Sequence, residues 1–212
     1  MDIIGDSTLT TIQAPAAISA DGNTAGIDAR TLVGQGAIIL TALNTAGTNP
    51  TLAVKLQGTQ DSDVVTSVTA GSNTGTGTCT QVYGGPDAVA EDITVTVKAG
   101  ATTASVVGSV SGALADATIG TLYQSAKVEF MLTQGGAAFV ENDSFVIVTT
   151  ARTYADVAGG AFTGLTGASQ ASVQKKAINF DQAPRFLRIN YDIGGTSSPA
   201  YTVGIAAQSL TN

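Results

Sequence analysis

The sequence predicts an all-β protein, built as a sandwich or a jelly-roll-like module. Patterns with the helical period are scarce, whereas apolar and polar residues alternate in many short stretches, as they do in half-buried strands. The 25 glycines, together with an excess of Thr, Ser, Ala and Val over Lys and Glu, are typical of turn-rich β proteins. Short strands separated by Gly, Asn and Pro turns favour a sandwich or jelly roll over other β folds.

The strand pattern is interrupted once. It stops near residues 57–63 and resumes near residues 154–164, and joining the outer pieces gives a continuous series of short strands. Domain insertions succeed at exposed loop tips, where the ends of the host fold lie close together. We therefore predict a discontinuous β-sandwich module of residues 1–63 and 151–212, with an inserted small β domain of residues 64–150.

Strands of the outer module can be placed from their alternation. Residues 37–43 are apolar on both faces and predict a central strand, and Leu52, Val54 and Leu56 predict a half-buried one. The segment Gly194–Pro199 predicts a turn between the last two strands. The residues expected in the core from these last strands are Leu187, Ile189, Tyr191, Tyr201, Val203 and Ile205. The opposite face is expected to carry Phe186, Arg188 and Asn190.

The insert shows the same alternation. Strands are predicted at residues 93–98, 127–133 and 144–149, with turns at Gly135-Gly136 and Asn142-Asp143. The side chains expected to face inward from the first two are Ile93, Val95, Val97, Val128, Phe130 and Leu132. Outward positions of the second strand include Glu129.

Composition limits the chemistry. The net charge is −7 and the pI is about 4.3, which opposes nucleic-acid binding, and the only adjacent basic pair is Lys175-Lys176. The chain has no His and one cysteine, Cys79, so it lacks the usual general base and any intrachain disulfide. We interpret Cys79 as a small semi-buried strand residue. A carboxylate-pair glycosidase remains an alternative, although no spacing singles out two acids, and we predict a protein that is not an enzyme.

Three acidic segments are candidate metal ligands. Asp61-Ser62-Asp63 is better explained as a solvated domain junction, because no acidic residue follows at EF-hand spacing. Glu91-Asp92 is expected to solubilise the start of a strand, and Asp21-Gly22-Asn23 to form a β-turn. We therefore predict no metal and no cofactor.

No apolar run approaches the ~18–20 residues that cross a bilayer. The N-terminal segment Met1–Asp6 is acidic and lacks the basic and apolar regions of a secretory signal. We expect no membrane partner, and a protein that stays in the cytoplasm or leaves the cell within an assembly.

Four segments of the outer module together resemble the small β-rich structural proteins of tailed-bacteriophage heads. These segments are Gly47–Gln57, Phe162–Gly164, Arg185–Tyr191 and Gly194–Thr202. The insert resembles a module of phage head decoration proteins, in which a Gly-rich turn, a Phe and an Asp-x-Phe strand close the domain. The matching residues are Gly135–Phe139 and Asp143–Ile147, with Asn142 where a Gly is expected; Asn also accepts left-handed backbone geometry.

This resemblance implies a non-catalytic virion protein that decorates, or cements, the outer surface of a capsid after synthesis in the host cytoplasm. Its partners would be the major capsid protein and further copies of itself. A tail or head-to-tail adaptor protein is an alternative role. A carbohydrate-binding β-sandwich is an alternative of another class, although the chain has no Trp and only 5% aromatic residues.

Arg185 and Arg188 are the candidate interface residues. Arginine makes bidentate contacts with carboxylates and is enriched at protein interfaces. Arg188 alternates with the apolar set of its strand, so its side chain is expected to point away from the core. The competing interpretation is an ordinary solvated strand face.

Overall fold

The computed structural model describes residues 7–59, 64–167 and 170–210, and this part of the chain is all-β. The only helices in it are two 3₁₀ turns, Ala29–Thr31 and Phe180–Gln182. The strands are β1 Ser7–Ile18, β2 Gly22–Asn23, β3 Ile27–Asp28, β4 Val33–Thr59, β5 Val65–Ala70, β6 Thr78–Gly84, β7 Glu91–Val97, β8 Thr103–Gly108, β9 Gly112–Ala113, β10 Ala117–Thr118, β11 Leu122–Gln124, β12 Val128–Thr133, β13 Ser144–Thr149, β14 Ala155–Ala161, β15 Leu165–Thr166, β16 Ala171–Asn179 and β17 Phe186–Leu210.

The described residues divide into two compact units. The outer unit comprises residues 7–59 and 154–210, and the inserted unit comprises residues 64–153. The predicted junction at Asp61-Ser62-Asp63 lies outside the described residues. The inserted unit ends at residue 153 in the structure, whereas the sequence predicts its end at residue 150. Arg152 belongs to the inserted unit, because its guanidinium donates hydrogen bonds to the carbonyls of Gly84 at 2.8 Å and Gly85 at 2.9 Å.

The outer unit is organised around two long antiparallel strands, β4 and β17, of 27 and 25 residues. On one side, β17 pairs with β1, β2 and β3. On the other side, β4 pairs with β14, β15 and β16. In the described part of the chain these eight strands form one sheet, and every flanking strand is attached to the central pair.

The central pair is irregular in the middle, and we infer from this irregularity and from the single core shared by its two ends that it bends there. Gly47 and Gly195 have φ of +106° and +119°, a region that favours glycine, and the strand register shifts between Gly194 and Tyr201. The predicted turn at Gly194–Pro199 is therefore wrong: these residues form irregularities within one continuous strand. The bend creates a first half-sheet, with β1 and β16, and a second half-sheet, with β2, β3, β14 and β15.

The two half-sheets enclose one core, which makes the unit sandwich-like. Leu40 and Val203 from the first half and Val54 and Ile189 from the second belong to the same buried cluster. The alternation predicted for β17 is confirmed at the positions with side chains no more than 3% exposed, which are Leu187, Ile189, Tyr201, Val203 and Ile205. Tyr191 is partly buried against this core.

One position of this strand was predicted wrongly. Phe186 was expected on the outward face, yet it is 1% exposed, and the Arg185 guanidinium lies 4.6 Å from the centre of its ring. Strand alternation alone does not report such local covering of an outward side chain. The outward assignment of Arg188 agrees with its half-buried side chain.

The inserted unit has a sheet in the order β10-β8-β7-β13-β5 and a sheet in the order β11-β12-β6. All six side chains predicted to face inward are at most 1% exposed, and Phe130 stacks on Tyr123 with ring centres 4.8 Å apart. Glu129, predicted outward, is only 9% exposed and accepts a hydrogen bond from Gln124 at 2.8 Å. Asn142 has φ of +74°, the left-handed geometry that the sequence allowed for it.

Glu91 was expected to solubilise a strand, and this expectation is wrong. The residue is 6% exposed, and its carboxylate accepts hydrogen bonds from the backbone N–H groups of Val110 and Ser111 and from the Ser111 hydroxyl. It therefore closes the turn between β8 and β9. Burial raises the pKa of Glu91, but the hydrogen bonds from Ser111 and Val110 and the charge of Lys127 outweigh it, so this pKa lies below its ordinary value.

Asp143 plays the same part at the opposite end of the unit. Its carboxylate accepts hydrogen bonds from the backbone N–H groups of Thr74, Gly75 and Val140 at 2.8 to 3.0 Å. Burial raises the pKa of Asp143, and these three donors lower it more. The carboxylate thus ties the loop after β5 to the turn before β13.

Removal of the insert is expected to leave a folded outer unit. Gly58 and Ala155 are direct partners in β4 and β14, so their backbones lie about 5 Å apart and a short Gly/Ser linker replacing residues 64–150 can join them. The deleted protein should unfold cooperatively on heating, as followed by circular dichroism. Loss of the cooperative transition would contradict the division into units.

Glu91→Gln is expected to destabilise the insert by about 1–3 kcal/mol at neutral pH, because the part-buried N–H groups of Val110 and Ser111 lose a charged acceptor. The pKa of Glu91 is lowered by folding, so this stabilisation is present above the unfolded-state value of about 4.3 and disappears as the pH falls through the folded-state pKa. Urea unfolding of both proteins between neutral and acidic pH measures the difference. Asp92→Asn, at the exposed next position, is the control, and an equal loss of stability there would refute the role of Glu91.

Candidate interaction surfaces

The outer side of the first half-sheet exposes apolar side chains. Register pairs Thr41 with Val173 and Gly204, so these three residues share a face that points away from the core. We call it the apolar face and define it by Leu9, Thr11, Ile39, Thr41, Leu43, Val173 and Ala206. Leu9 is 63% exposed, Leu43 48% and Val173 72%. A shallow depression of about 230 Å³ lies across it, lined in part by Leu9, Pro15 and Ile39.

The sequence of β4 explains this surface. Residues 37–43 are apolar on both faces, as a fully buried central strand would be, but only Ile38, Leu40 and Ala42 reach the core. The residues between them line the apolar face. Large exposed apolar patches on soluble proteins commonly mark interaction sites. The double-sided pattern of this strand is thus the sequence signal for the surface.

The outer side of the second half-sheet is polar and internally paired. Arg188 Nε donates to Gln57 Oε1 at 2.9 Å, and Gln57 Nε2 donates to Asp156 Oδ1 at 2.9 Å. Lys55 Nζ lies 2.9 Å from the other Asp156 oxygen. The hydrogen bond with Asp156 raises the pKa of Lys55, and those from Gln57 and Lys55 lower the pKa of Asp156. The Arg188 guanidinium also lies 4.2 Å from the centre of the Tyr154 ring.

Arg185 has a different setting. Its side chain is 7% exposed, and its Nε lies 3.5 Å from Asp28 Oδ2. The Nη2 atom of Arg30 lies 2.6 Å from the same Asp28 oxygen. Burial raises the pKa of Asp28, but the hydrogen bonds and charge of Arg30 and the charge of Arg185 lower it more. The pKa of Asp28 therefore lies below its ordinary value. Arg185 lines a shallow cleft of about 440 Å³ between the two 3₁₀ turns, with Phe180 and Pro184.

The two candidate arginines therefore have different environments. Arg188 is half-buried on an open sheet face and belongs to an ordered polar network. Arg185 is held within the unit by Asp28 and by Phe186. Of the two, Arg188 is better placed to reach a partner protein. Alternation located its face correctly, but nothing in the sequence pointed to Gln57, Tyr154 and Asp156 as its surroundings.

The other candidate residues have structural roles. Asp21 Oδ1 accepts a hydrogen bond from the Ile193 N–H at 2.7 Å. Cys79 lies half-buried in β6 as expected, and burial raises the pKa of its thiol to about 12. Within residues 7–59, 64–167 and 170–210, no group of three or more Cys, Asp or Glu side chains is arranged to hold a metal ion. In the same ranges, no helix has the length and apolarity needed to span a membrane.

Comparison with known proteins leaves the family open. No family model and no curated protein matches the chain. Among solved structures, two crystal forms of Xanthomonas campestris FlgL match 49% of the chain at 23% identity with a TM-score of 0.35. The matched region spans only 33% and 32% of the two FlgL chains. This likeness is too weak to bear on fold or function.

Ile189→Ala and Arg188→Ala are expected to differ sharply in stability. Ile189 is fully buried, so truncation should cost about 2–5 kcal/mol. Arg188 loses a hydrogen bond and a ring contact on an open face, and its truncation should cost about 1 kcal/mol or less. Thermal unfolding of the two variants side by side measures this. The opposite order would mean that the register of β17 is shifted by one residue.

Proposed function

We propose that this chain is a structural protein of a tailed-bacteriophage particle that binds the outer surface of the capsid and stabilises it without catalysis. The observation that carries the proposal is the apolar face, where Leu9, Leu43 and Val173 are 48–72% exposed on one regular sheet surface. The resemblance of the outer-module segments to phage head proteins supports the choice of partner, the major capsid protein.

The proposed mechanism is binding in many copies. The apolar face supplies burial of apolar area, worth roughly 25 cal/mol per Å² removed from water. Arg188 adds a polar contact at the second half-sheet, where its remaining guanidinium N–H donors suit a carboxylate of the shell. A protein that binds only the assembled shell stabilises it by mass action. Repeated modest contacts at high effective concentration on a lattice then give strong retention.

Surface charge is consistent with this division of roles. Lys175 lies on the apolar face itself, exposed on the same side of β16 as Val173 and paired with Ile39 in the register. The charges of the second half-sheet, Lys55 and Asp156, already compensate one another at 2.9 Å. Docking through the apolar face therefore requires the desolvation of one exposed charge, that of Lys175, or a partner carboxylate that pairs with it. A sugar-binding platform would need exposed aromatic rings, which the apolar face lacks.

The proposal is tested with phage shells assembled without this protein. The wild-type protein should bind them saturably and raise their midpoint of thermal disruption, measured by light scattering. Val173→Lys should weaken binding by about tenfold or more, because a lysine charge would be buried at the contact. Val110→Lys is the matched control: Val110 is 69% exposed in the insert, against 72% for Val173.

Absence of saturable binding and of any gain in shell stability would refute the capsid assignment. Equal weakening by Val173→Lys and Val110→Lys would instead refute the apolar face as the contact surface. Circular dichroism of both variants establishes that each is folded before binding is measured.

A further inference from the structure

Strand β5 forms the end of a sheet in the inserted unit. The sheet order is β10-β8-β7-β13-β5, so β5 has β13 on one side and the sheet edge on the other. Its sequence, Val-Thr-Ser-Val-Thr-Ala, holds four β-branched residues and neither a charge nor a proline. Regular edges of this composition are templates for pairing with another strand.

The other long edge strands of the described chain carry features that oppose pairing. β1 contains Pro15 and two register shifts, and β16 carries Lys175 and Lys176. β14 has a register shift with Gly159 at φ of +72°, and β6 has a bulge with Gln81 at φ of +51°. β5 also has one register shift, between Val65 and Ser67, but it pairs with β13 without interruption from Ser67 to Ala70 and carries no proline or charge.

In the regular stretch from Ser67 to Ala70, the outward backbone groups of β5 belong to two residues. The N–H of Gly71 donates to the carbonyl of Ser144 at 2.9 Å. Because hydrogen-bonding direction alternates along an antiparallel strand, Ser67 and Thr69 also bond to β13. The N–H and C=O groups of Val68 and Ala70 therefore point away from the sheet.

The same two residues direct their side chains toward the core. Val68 pairs with Ile147 and Ala70 with Phe145, and both partners are buried. Val68 is nevertheless 39% exposed. An added strand along this edge would satisfy the outward backbone groups and cover Val68 at the same time. The edge is thus incomplete in both its hydrogen bonding and its packing.

We propose that β5 pairs in antiparallel fashion with β5 of a second copy of this chain, about a twofold axis at Thr69. In this register Val68 lies opposite the partner's Ala70, and the two residues exchange both backbone hydrogen bonds on each side of the axis. The pattern is self-complementary, as a twofold interface requires. The absence of charge in β5 matters because two chains of net charge −7 repel each other elsewhere.

This pairing is independent of shell binding and does not rest on the proposed function. A single pair of short strands buries less area than the ~1,000 Å² of a stable interface, so the dimer is expected to be weak and concentration-dependent. On any repeating surface that holds copies side by side, the same contact would become strong.

Sedimentation velocity tests the dimer. The wild-type protein should shift with concentration from the 21.1 kDa monomer toward twice that mass. Val68→Lys should raise the dissociation constant about tenfold or more, because each lysine would lie opposite the partner's Ala70 and diagonally across the pairing edge from the second lysine, whose charge repels it. Val107→Lys is the matched control, since Val107 is 45% exposed on β8, away from the β5 edge of the same sheet. A wild-type protein that stays monomeric, or equal effects of the two substitutions, would overturn the proposal.

Cysteine trapping tests the register. Thr69 would face the partner's Thr69 at a non-hydrogen-bonded position, where Cα atoms lie about 4.5 Å apart, within the ~4.4–6.8 Å that a disulfide spans. Mild oxidation of Thr69→Cys should give a covalent dimer that the wild-type protein, with Cys79 alone, does not form. Thr94→Cys, an exposed threonine on the central strand β7, should remain uncrosslinked. Cross-linking of Thr94→Cys to the same extent, or none of Thr69→Cys, would overturn the proposed register.

Discussion

The hydrogen-bonded pair of β4 and β17 is the constraint on which the outer unit depends. Each flanking strand of its sheet joins through one of these two strands. Because both bend at the same place, one continuous pair supplies both walls of the core. A side chain at Gly47 would collide with Pro199 across the pair, and Gly195 lies equally close to Pro50. Close approach of two backbones therefore sets where the sheet folds over, and the bend in turn allows the core to close.

Because the bend places one side of each half-sheet in the core, the opposite side of each half-sheet is exposed to solvent. On the first half-sheet the bend leaves the apolar face, where Leu9, Leu43 and Val173 are the most exposed apolar side chains. On the second it leaves a network in which Arg188, Gln57 and Asp156 are joined by hydrogen bonds of 2.9 Å. The two faces suit different contacts, one driven by apolar burial and the other by oriented polar groups. Gly58 and Ala155 pair as neighbours, so the insert begins and ends near one point of the host sheet.

Sequence patterns predicted the fold class and most inward-facing positions, because alternation along a strand follows directly from backbone geometry. They did not predict that residues 33–59 and 186–210 form continuous strands, since Gly, Asn and Ser favour a chain reversal and a bulge alike. Glu91 shows a second limit: a carboxylate beside a strand is ordinarily solvated, and only the fold brings Val110 and Ser111 to it. The double-sided apolar pattern of residues 37–43 is the sequence signal of the apolar face, but such a pattern ordinarily indicates a strand buried on both faces.

We propose that this protein coats a capsid through a repeated contact. The most direct measurement is its copy number per particle in purified intact phage heads, obtained by quantitative mass spectrometry against the major capsid protein. We expect a copy number comparable with that of the capsid protein, because each lattice position offers the same contact. A few copies per particle would contradict capsid decoration and would indicate an adaptor at a single site, and absence from the heads would contradict a capsid role altogether.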